Sequence, residues 1–241
     1  MDTTATDSFR HDISATTSQA CRGSAAAGNV MRGRLNAAIL RTSDGYGHLL
    51  LGQRKRRLFA NLPPTVVEIG PGTGANLRYY RPGSRLIAIE PNRHMHARLQ
   101  KAAQRYGIEL ELRDEGADAI GLPDESVDAV VSTLVLCTVP DPAATLREVR
   151  RILRPGGRFV FLEHVRADHS HPVLRMVQQS VARLWRWFFE GCDVLRDTEA
   201  TLARTCWAQL EVHRYHVPTL FLPINTQIAG TALRTNPGER R

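Results

Sequence analysis

The chain has 241 residues, enough for one α/β domain with some decoration and too few for two full domains. Hydrophobic residues make up 42% of it, ample for one core, and the formal charge is +8, from 32 Lys and Arg against 24 Asp and Glu. Such a charge describes either a solvated, Arg-rich surface or one that attracts an anionic partner. The cysteines, Cys21, Cys137, Cys192 and Cys206, include no C-x-x-C pair, which argues against a metal site, and are too sparse for a disulfide-stapled secreted domain. Residues Met1–Arg10 hold no signal-like apolar core, and no run of about 18 apolar residues follows. These features predict a cytoplasmic protein without stable membrane insertion.

Residues 1–30 are rich in Ser, Thr and Ala without an apolar period, which predicts a flexible arm. A single domain is expected over residues 31–235, with 236–241 as a tail. Its first part, 31–62, is a helical cap whose basic run Arg54-Lys55-Arg56-Arg57 reads as a solvated face or a nucleic-acid patch. Pro63 and Pro64 end it. Thr65–Ile69 then reads as a buried strand, Gly70–Gly74 as a glycine loop, and Ala75 as the start of a helix. Arg85–Glu90 and Glu109–Arg113 are strands around a helix over Asn92–Tyr106. Asp128–Ser132 reads as a fourth strand buried on both faces. Asp141 and Pro142 supply an N-cap and a first-turn proline to a helix bearing Leu146, Val149 and Leu153. Pro155-Gly156-Gly157 stops that helix, and Arg158–Leu162 is a fifth strand. The alternation predicts a doubly wound parallel sheet, with function in the loops at the carboxyl ends of its strands.

The glycine loop reads Glu68-Ile69-Gly70-Pro71-Gly72-Thr73-Gly74-Ala75-Asn76. Glycines permit positive φ and close approach of a ligand, and Glu90, about twenty residues on, can accept both hydroxyls of a ribose. Gly70, Gly72 and Ala75 alone also fit a nicotinamide dinucleotide. Gly74 in strict alternation and a carboxylate, Glu68, inside an apolar strand end favour a ligand carrying an ammonium group over a pyrophosphate. A salt bridge from Glu68 to a local Arg is the competing structural reading.

This stretch resembles motif I of class I S-adenosylmethionine-dependent methyltransferases. The segments Leu122–Asp128 and Leu153–Gly157 resemble the family's entries into its fourth and fifth strands. The resemblance implies a Rossmann-like sheet of seven strands, mostly parallel, closing in an antiparallel hairpin for which Trp207–His216 and Thr226–Arg234 are candidates. It implies S-adenosyl-L-methionine as cofactor, S-adenosyl-L-homocysteine as product, and a cofactor site drawn from Glu68, Gly70, Pro71, Gly72, Gly74, Asn76, Glu90, Pro91, Asn92 and Met95. Gly116 and Ala117 would meet the adenine through main-chain groups, Gly116 standing where many members carry an acid. Thr133, Leu134 and Cys137 would line the site after the fourth strand.

Ser132–Val139, Glu163-His164-Val165 and Gly191–Thr198 are similar to the microsomal thiol S-methyltransferases of the methyltransferase-like seven group, whose N-terminal membrane anchor is replaced here by a polar arm. The similarity implies methylation of a small, fairly apolar thiol: a metabolite, a xenobiotic or a dithiol natural product. A thiol needs the least help from the protein, its pKa of roughly 8.5 leaving a few per cent as thiolate at neutrality. Tyr46, Trp185 and Phe188 are candidates for the acceptor pocket. The insertion over residues 166–200 is expected to form a lid whose apolar face carries Leu174, Val177, Val181, Leu184, Trp185 and Phe188, widened by Trp187 and Phe189. Its competing readings are a structural cover and a basic helix on a membrane surface. His164 would act as base, or as a cation favouring the thiolate, or as a hydrogen-bonded structural residue. Arg196 would attract the thiolate or pair with Asp193 or Asp197. For Cys137 a role as a buried small hydrophobe stands against that of a nucleophile. O-, N- or C-methylation of a phenol, amine or quinone ring is the neighbouring alternative. A nicotinamide-dependent oxidoreductase and a nucleic-acid-binding module are remoter ones.

Overall fold

The structure, a computed structural model, describes residues 47–189, 191–219 and 221–235; Tyr46, most of the first cap segment, the arm and the tail lie outside these residues. Seven strands form one sheet: β1 (Thr65–Ile69), β2 (Arg85–Ile89), β3 (Glu109–Arg113), β4 (Val127–Thr133), β5 (Leu153–His164), β6 (Trp207–His216) and β7 (Thr226–Arg234). Their order is β3-β2-β1-β4-β5-β7-β6, parallel from β3 to β5, with β7 antiparallel between β5 and β6. The helices are α1 (residues 47–59), α2 (Arg93–Tyr106), α3 (Pro142–Ile152), α4 (Pro172–Phe188) and α5 (Thr198–Arg204).

The strands read as continuous apolar runs because both faces are covered. Val67, Ile69, Val130, Phe159 and Phe161 meet Leu146, Val149 and Ile152 of α3 on one side. Val66, Leu86, Ala88 and Val131 meet Leu99 and Ala103 of α2, with Phe59 of α1, on the other. Each fully buried large side chain in these layers contributes about 1.5–3 kcal/mol. The helix ends are written locally. Asn92 and Asp141 accept backbone N–H groups at the starts of α2 and α3, and Gly107 closes α2 in the left-handed region at φ 66°.

Several expected boundaries shift. No α-helix follows the glycine loop; a single 3-10 turn, Leu77–Tyr79, takes its place. Only ten residues separate Gly74 from Arg85, and Pro82 disfavours helix at Arg81, so a full helix cannot form and still return the chain to β2. Leu153 is the first residue of β5 rather than the last of α3, and Pro155-Gly156-Gly157 lies inside that strand. It faces an irregularity between Val127 and Ala129 of β4. Asp128 interrupts the two-sided burial of β4 and pairs outward with Arg154 at 2.8 Å. The basic run is not one solvated face. Arg54 stacks over the Tyr215 ring at 3.5 Å and Lys55 is buried, while Arg56 and Arg57 are exposed.

Candidate active site

The switch in strand order falls between β1 and β4, and the loop after β1 opens there. Gly70, Gly72 and Gly74 all have positive φ, at 59°, 59° and 89°. Two of them are tightly packed: a Cβ on Gly70 would stand 2.6 Å from Val135, and one on Gly74 2.8 Å from Ala102. Gly72 differs, since a Cβ there would meet nothing within 4 Å. Its main chain faces open space, a cradle for a ligand. Its N–H donates to Glu90 Oε2 at 2.9 Å, while Asn92 N–H donates to Glu90 Oε1 at 2.8 Å. A carboxylate oxygen can accept more than one donor, a hydroxyl among them. Pro91 is exposed and Met95 buried beside it at the start of α2.

Glu68 is fully buried behind this loop and has no Arg partner among the described residues. Asn76 Nδ2 donates to Oε1 at 2.6 Å, and the Tyr80 hydroxyl donates to Oε2 at 2.8 Å. The Asn76 amide also reaches Thr133 Oγ1 at 2.6 Å, and its carbonyl oxygen accepts from Lys55 Nζ at 2.7 Å. One amide thereby ties together β1, β4 and α1. Burial raises the Glu68 carboxyl above its ordinary range, with the Asn76 and Tyr80 hydrogen bonds and the Lys55 charge pulling it back down. Burial also raises the Tyr80 hydroxyl. Lys55 and Tyr80 escaped sequence reasoning; the Lys was hidden in a charge run, and the Tyr in a helix that does not form.

The loop after β4 turns sharply at Leu134, a non-glycine residue at φ 59°. Glu163 holds it. This buried carboxylate accepts from Ser132 Oγ at 2.6 Å and from the N–H groups of Val135 and Leu136 at 3.2 and 3.1 Å. Burial pushes its carboxyl up to about 7 against those bonds. Arg196 braces the same loop: its Nη1 donates to the carbonyls of Leu136 and Val139 at 2.8 and 2.6 Å. Asp193 and Asp197 pair elsewhere, with Arg186 and Arg166.

His164, last residue of β5, is buried beside this loop. Its Nε2 lies 3.1 Å from Cys192 Sγ, which also accepts from Trp185 Nε1 at 3.3 Å and lies 3.7 Å from Cys137 Sγ. His164 Nδ1 is buried with no partner among the described residues. The contact with Cys137 lowers the Cys192 thiol, and the His164 charge and the Trp185 hydrogen bond act in the same direction. Burial, the largest single cause, would lower the imidazole; the charge and hydrogen bond of Cys192, with the charges of Glu163 and Asp193, together raise it. Sequence reasoning named Cys137, His164 and Trp185 separately. It missed Cys192 as their meeting point, because the four residues lie on separate segments.

Helix α4 stands over this end of the sheet. Trp185 packs at a tilt against Phe189 with centroids 4.3 Å apart, and Phe188 meets Phe189 edge-on at 4.9 Å. The expected lid face holds for Leu174, Val177, Val181, Trp185 and Phe188, all partly buried. It fails for Leu184 and Trp187, which are 69% and 64% exposed. Under the first turns of α4 runs a separate apolar cleft, walled by Val173, Leu174, Val177, His216 and Leu222. Gly116 and Ala117 sit on the loop after β3. Glu115 accepts the Gly121 N–H there at 3.0 Å, and Asp118 Oδ1 lies 2.5 Å from where a Cβ on Gly116 would stand.

A methyltransferase-domain family profile matches residues 67–161, the stretch from β1 to β5. Two human proteins, thiol S-methyltransferase TMT1B and thiol S-methyltransferase TMT1A, are each 35% identical to the chain. The first alignment spans 192 residues, 75% of this chain and 78% of that protein, and the second spans 195 residues, 76% and 80%. Among solved structures, a Thermotoga maritima S-adenosylmethionine-dependent methyltransferase, described as a possible histamine N-methyltransferase, superposes with a TM-score of 0.59 at 17% identity. That match covers 85% of this chain and all of the other, and so bears on the fold alone.

Proposed function

Since this chain belongs to the class I S-adenosylmethionine-dependent methyltransferases, we propose that it transfers a methyl group to the thiol sulfur of a small, fairly apolar molecule. The residues after β1 and β2 suit the cofactor. The open space over Gly72 would take the methionyl and ribose portions, and Glu90 would accept the ribose hydroxyls. Asn76, already bonded to Glu68, would relay that carboxylate toward the ammonium group. Met95 and the main chain at Gly116 and Ala117 would border the adenine. The cofactor supplies an electrophilic methyl on a sulfonium. The protein's part is to hold an acceptor in line with that methyl and to keep water out.

One observation carries the choice of acceptor: the make-up of the edge where β4 and β5 end. It consists of two sulfurs, an indole and one buried imidazole. Its carboxylate, Glu163, is already engaged by three donors that hold the loop. A phenol or amine must lose its proton to a committed base, whereas a thiol is largely spared that step. His164 would steady the thiolate, and Trp185 and Phe188 would wall its apolar part. The 35% identity to two human thiol S-methyltransferases over about three quarters of the chain supports this reading.

The test is to incubate purified protein with the cofactor and a panel of alkyl and aryl thiols, each matched with the corresponding phenol and amine. Mass spectrometry should find methyl thioethers from the thiols at rates at least tenfold above the matched compounds. Methylation confined to phenols or amines would overturn the thiol assignment and move the weight to His164 as a base.

A further inference from the structure

Cys137, His164 and Cys192 come from three separated segments: the loop after β4, the end of β5 and the turn after α4. Their ligand atoms nonetheless lie within 4.8 Å of one another. We propose that these three side chains form a binding site for one zinc ion, with the fourth coordination position left for a thiolate from outside the chain.

The geometry is that of a tetrahedron's face. With zinc–sulfur bonds of about 2.3 Å and zinc–nitrogen bonds of about 2.0 Å, tetrahedral coordination separates two sulfurs by about 3.8 Å and a sulfur from a nitrogen by about 3.5 Å. The observed separations are 3.7 Å between the sulfurs and 3.1 Å from His164 Nε2 to Cys192 Sγ. Two of the three edges therefore need adjustments of a few tenths of an ångström, and the third, from His164 Nε2 to Cys137 Sγ, which lies within 4.8 Å, needs one of up to about 1.3 Å. A disulfide would have to draw the sulfurs together from 3.7 Å to about 2.05 Å. The donor set is soft, two thiols and an imidazole, which suits zinc and disfavours magnesium or calcium.

The surroundings agree. The indole N–H of Trp185 donates to Cys192 Sγ at 3.3 Å, the outer hydrogen bond that a metal-bound thiolate accepts. Glu163 and Arg196 fix the main chain on both sides of Cys137 without offering a ligand. Among the described residues no fourth His, Cys, Asp or Glu joins the group. Three protein ligands and one open position is the arrangement of reactive rather than purely structural zinc.

The open position gives the ion a role that rests on the thiol reading above. An acceptor thiol that binds there releases its proton to solvent and becomes a zinc-held thiolate. Its sulfur then forms a bond to the methyl carbon as the sulfonium carbon–sulfur bond breaks, with that electron pair staying on the departing sulfide. The neutral thioether product is a weak ligand and leaves, and the ion is unchanged.

Metal content decides the matter independently of methyl transfer. Full-length protein purified under reducing conditions and loaded with zinc should retain about one ion per chain after gel filtration. X-ray absorption on that sample should show two sulfur ligands and one nitrogen ligand. Cobalt in place of zinc should give the near-ultraviolet charge-transfer band of thiolate ligation, and adding ethanethiol should shift it. Cys137→Ser and Cys192→Ser should each weaken retention at least tenfold, while Cys206→Ser, at an exposed site away from the cluster, should not. Far-ultraviolet circular dichroism and the thermal transition of each variant report whether it has folded. Wild-type protein that retains no ion, or shows only nitrogen and oxygen ligands, overturns the site, as does a Cys137–Cys192 disulfide with no zinc uptake. An ion that binds without response to ethanethiol overturns the open position. Zinc binding in a protein that methylates only phenols leaves the site standing and removes the thiol reading.

Discussion

Gly72 shows how geometry alone can set one residue apart. Its φ of 59° would cost a side-chain-bearing residue about 1–2 kcal/mol, yet no atom of the described residues crowds it. Gly83 shares both properties, with φ of 80° and no atom within 4 Å of a Cβ, but lies in the turn before β2. The pair separates strain from function. Gly72→Ala and Gly83→Ala should lower the melting temperature by similar amounts, about 2–6 °C. Only Gly72→Ala should weaken S-adenosylhomocysteine binding, by at least tenfold in titration calorimetry, because its methyl enters the cradle. Equal affinities in the two variants would show that the ligand does not pass over Gly72. The glycine loop, Glu68 and Glu90 were legible as types and spacings because each acts through its own backbone position. The partners of Glu68 were not, since Asn76 and Tyr80 reach it, and Lys55 reaches Asn76, from directions that only packing decides.

At the scale of elements, the strands were the most readable part, and Trp207–His216 and Thr226–Arg234 match β6 and β7 residue for residue. β1 to β5 were bounded by turn residues and apolar runs, whereas β6 and β7 were candidates only through the family resemblance. Helix α4 was less legible because apolar residues surround it on most sides, so periodicity could not tell which of Leu184, Trp185 and Trp187 face inward. Within the hairpin, Gly230 leaves no room for a side chain: an added Cβ would overlap the Glu211 carbonyl oxygen, lie 2.9 Å from its carbon and 3.0 Å from the Phe161 ring. The contacts are backbone on one side and a buried ring on the other, so neither yields cheaply. Gly230→Ala should cost about 3 kcal/mol or more, lowering the melting temperature by at least about 6 °C. The folded fraction should bind S-adenosylhomocysteine normally, because the β1 and β2 loops lie at the other half of the sheet. A variant as stable as the parent would mean that the two strands part more easily than their pairing implies.

Across the whole molecule, the sheet gathers at one edge polar groups that lie far apart in the chain, which is why neither the Cys137–His164–Cys192 cluster nor the Lys55–Asn76–Glu68 relay could be read from spacing. Gathering them buries charge. Glu68 is the clearest case, fully buried with its carboxyl raised above its ordinary value of 4.5, burial being the largest cause. The sign of the consequence follows from linkage. With a raised folded-state value, the folded protein holds this proton at pH values where the unfolded chain has released it. The stability so gained is fully present below about 4.5 and is lost as pH rises through the folded value. Glu68→Gln keeps the shape and carries no titrating proton, so the wild type should lose stability relative to it as pH climbs from about 4.5 toward neutrality, then level off. Denaturant midpoints measured across that range for both proteins give the difference directly, and the other carboxylates cancel. A wild type that instead gains on the variant as pH rises would identify Glu68 as an ion-paired carboxylate. The buried charge would then stabilise the ligand-free fold rather than strain it in favour of the cofactor.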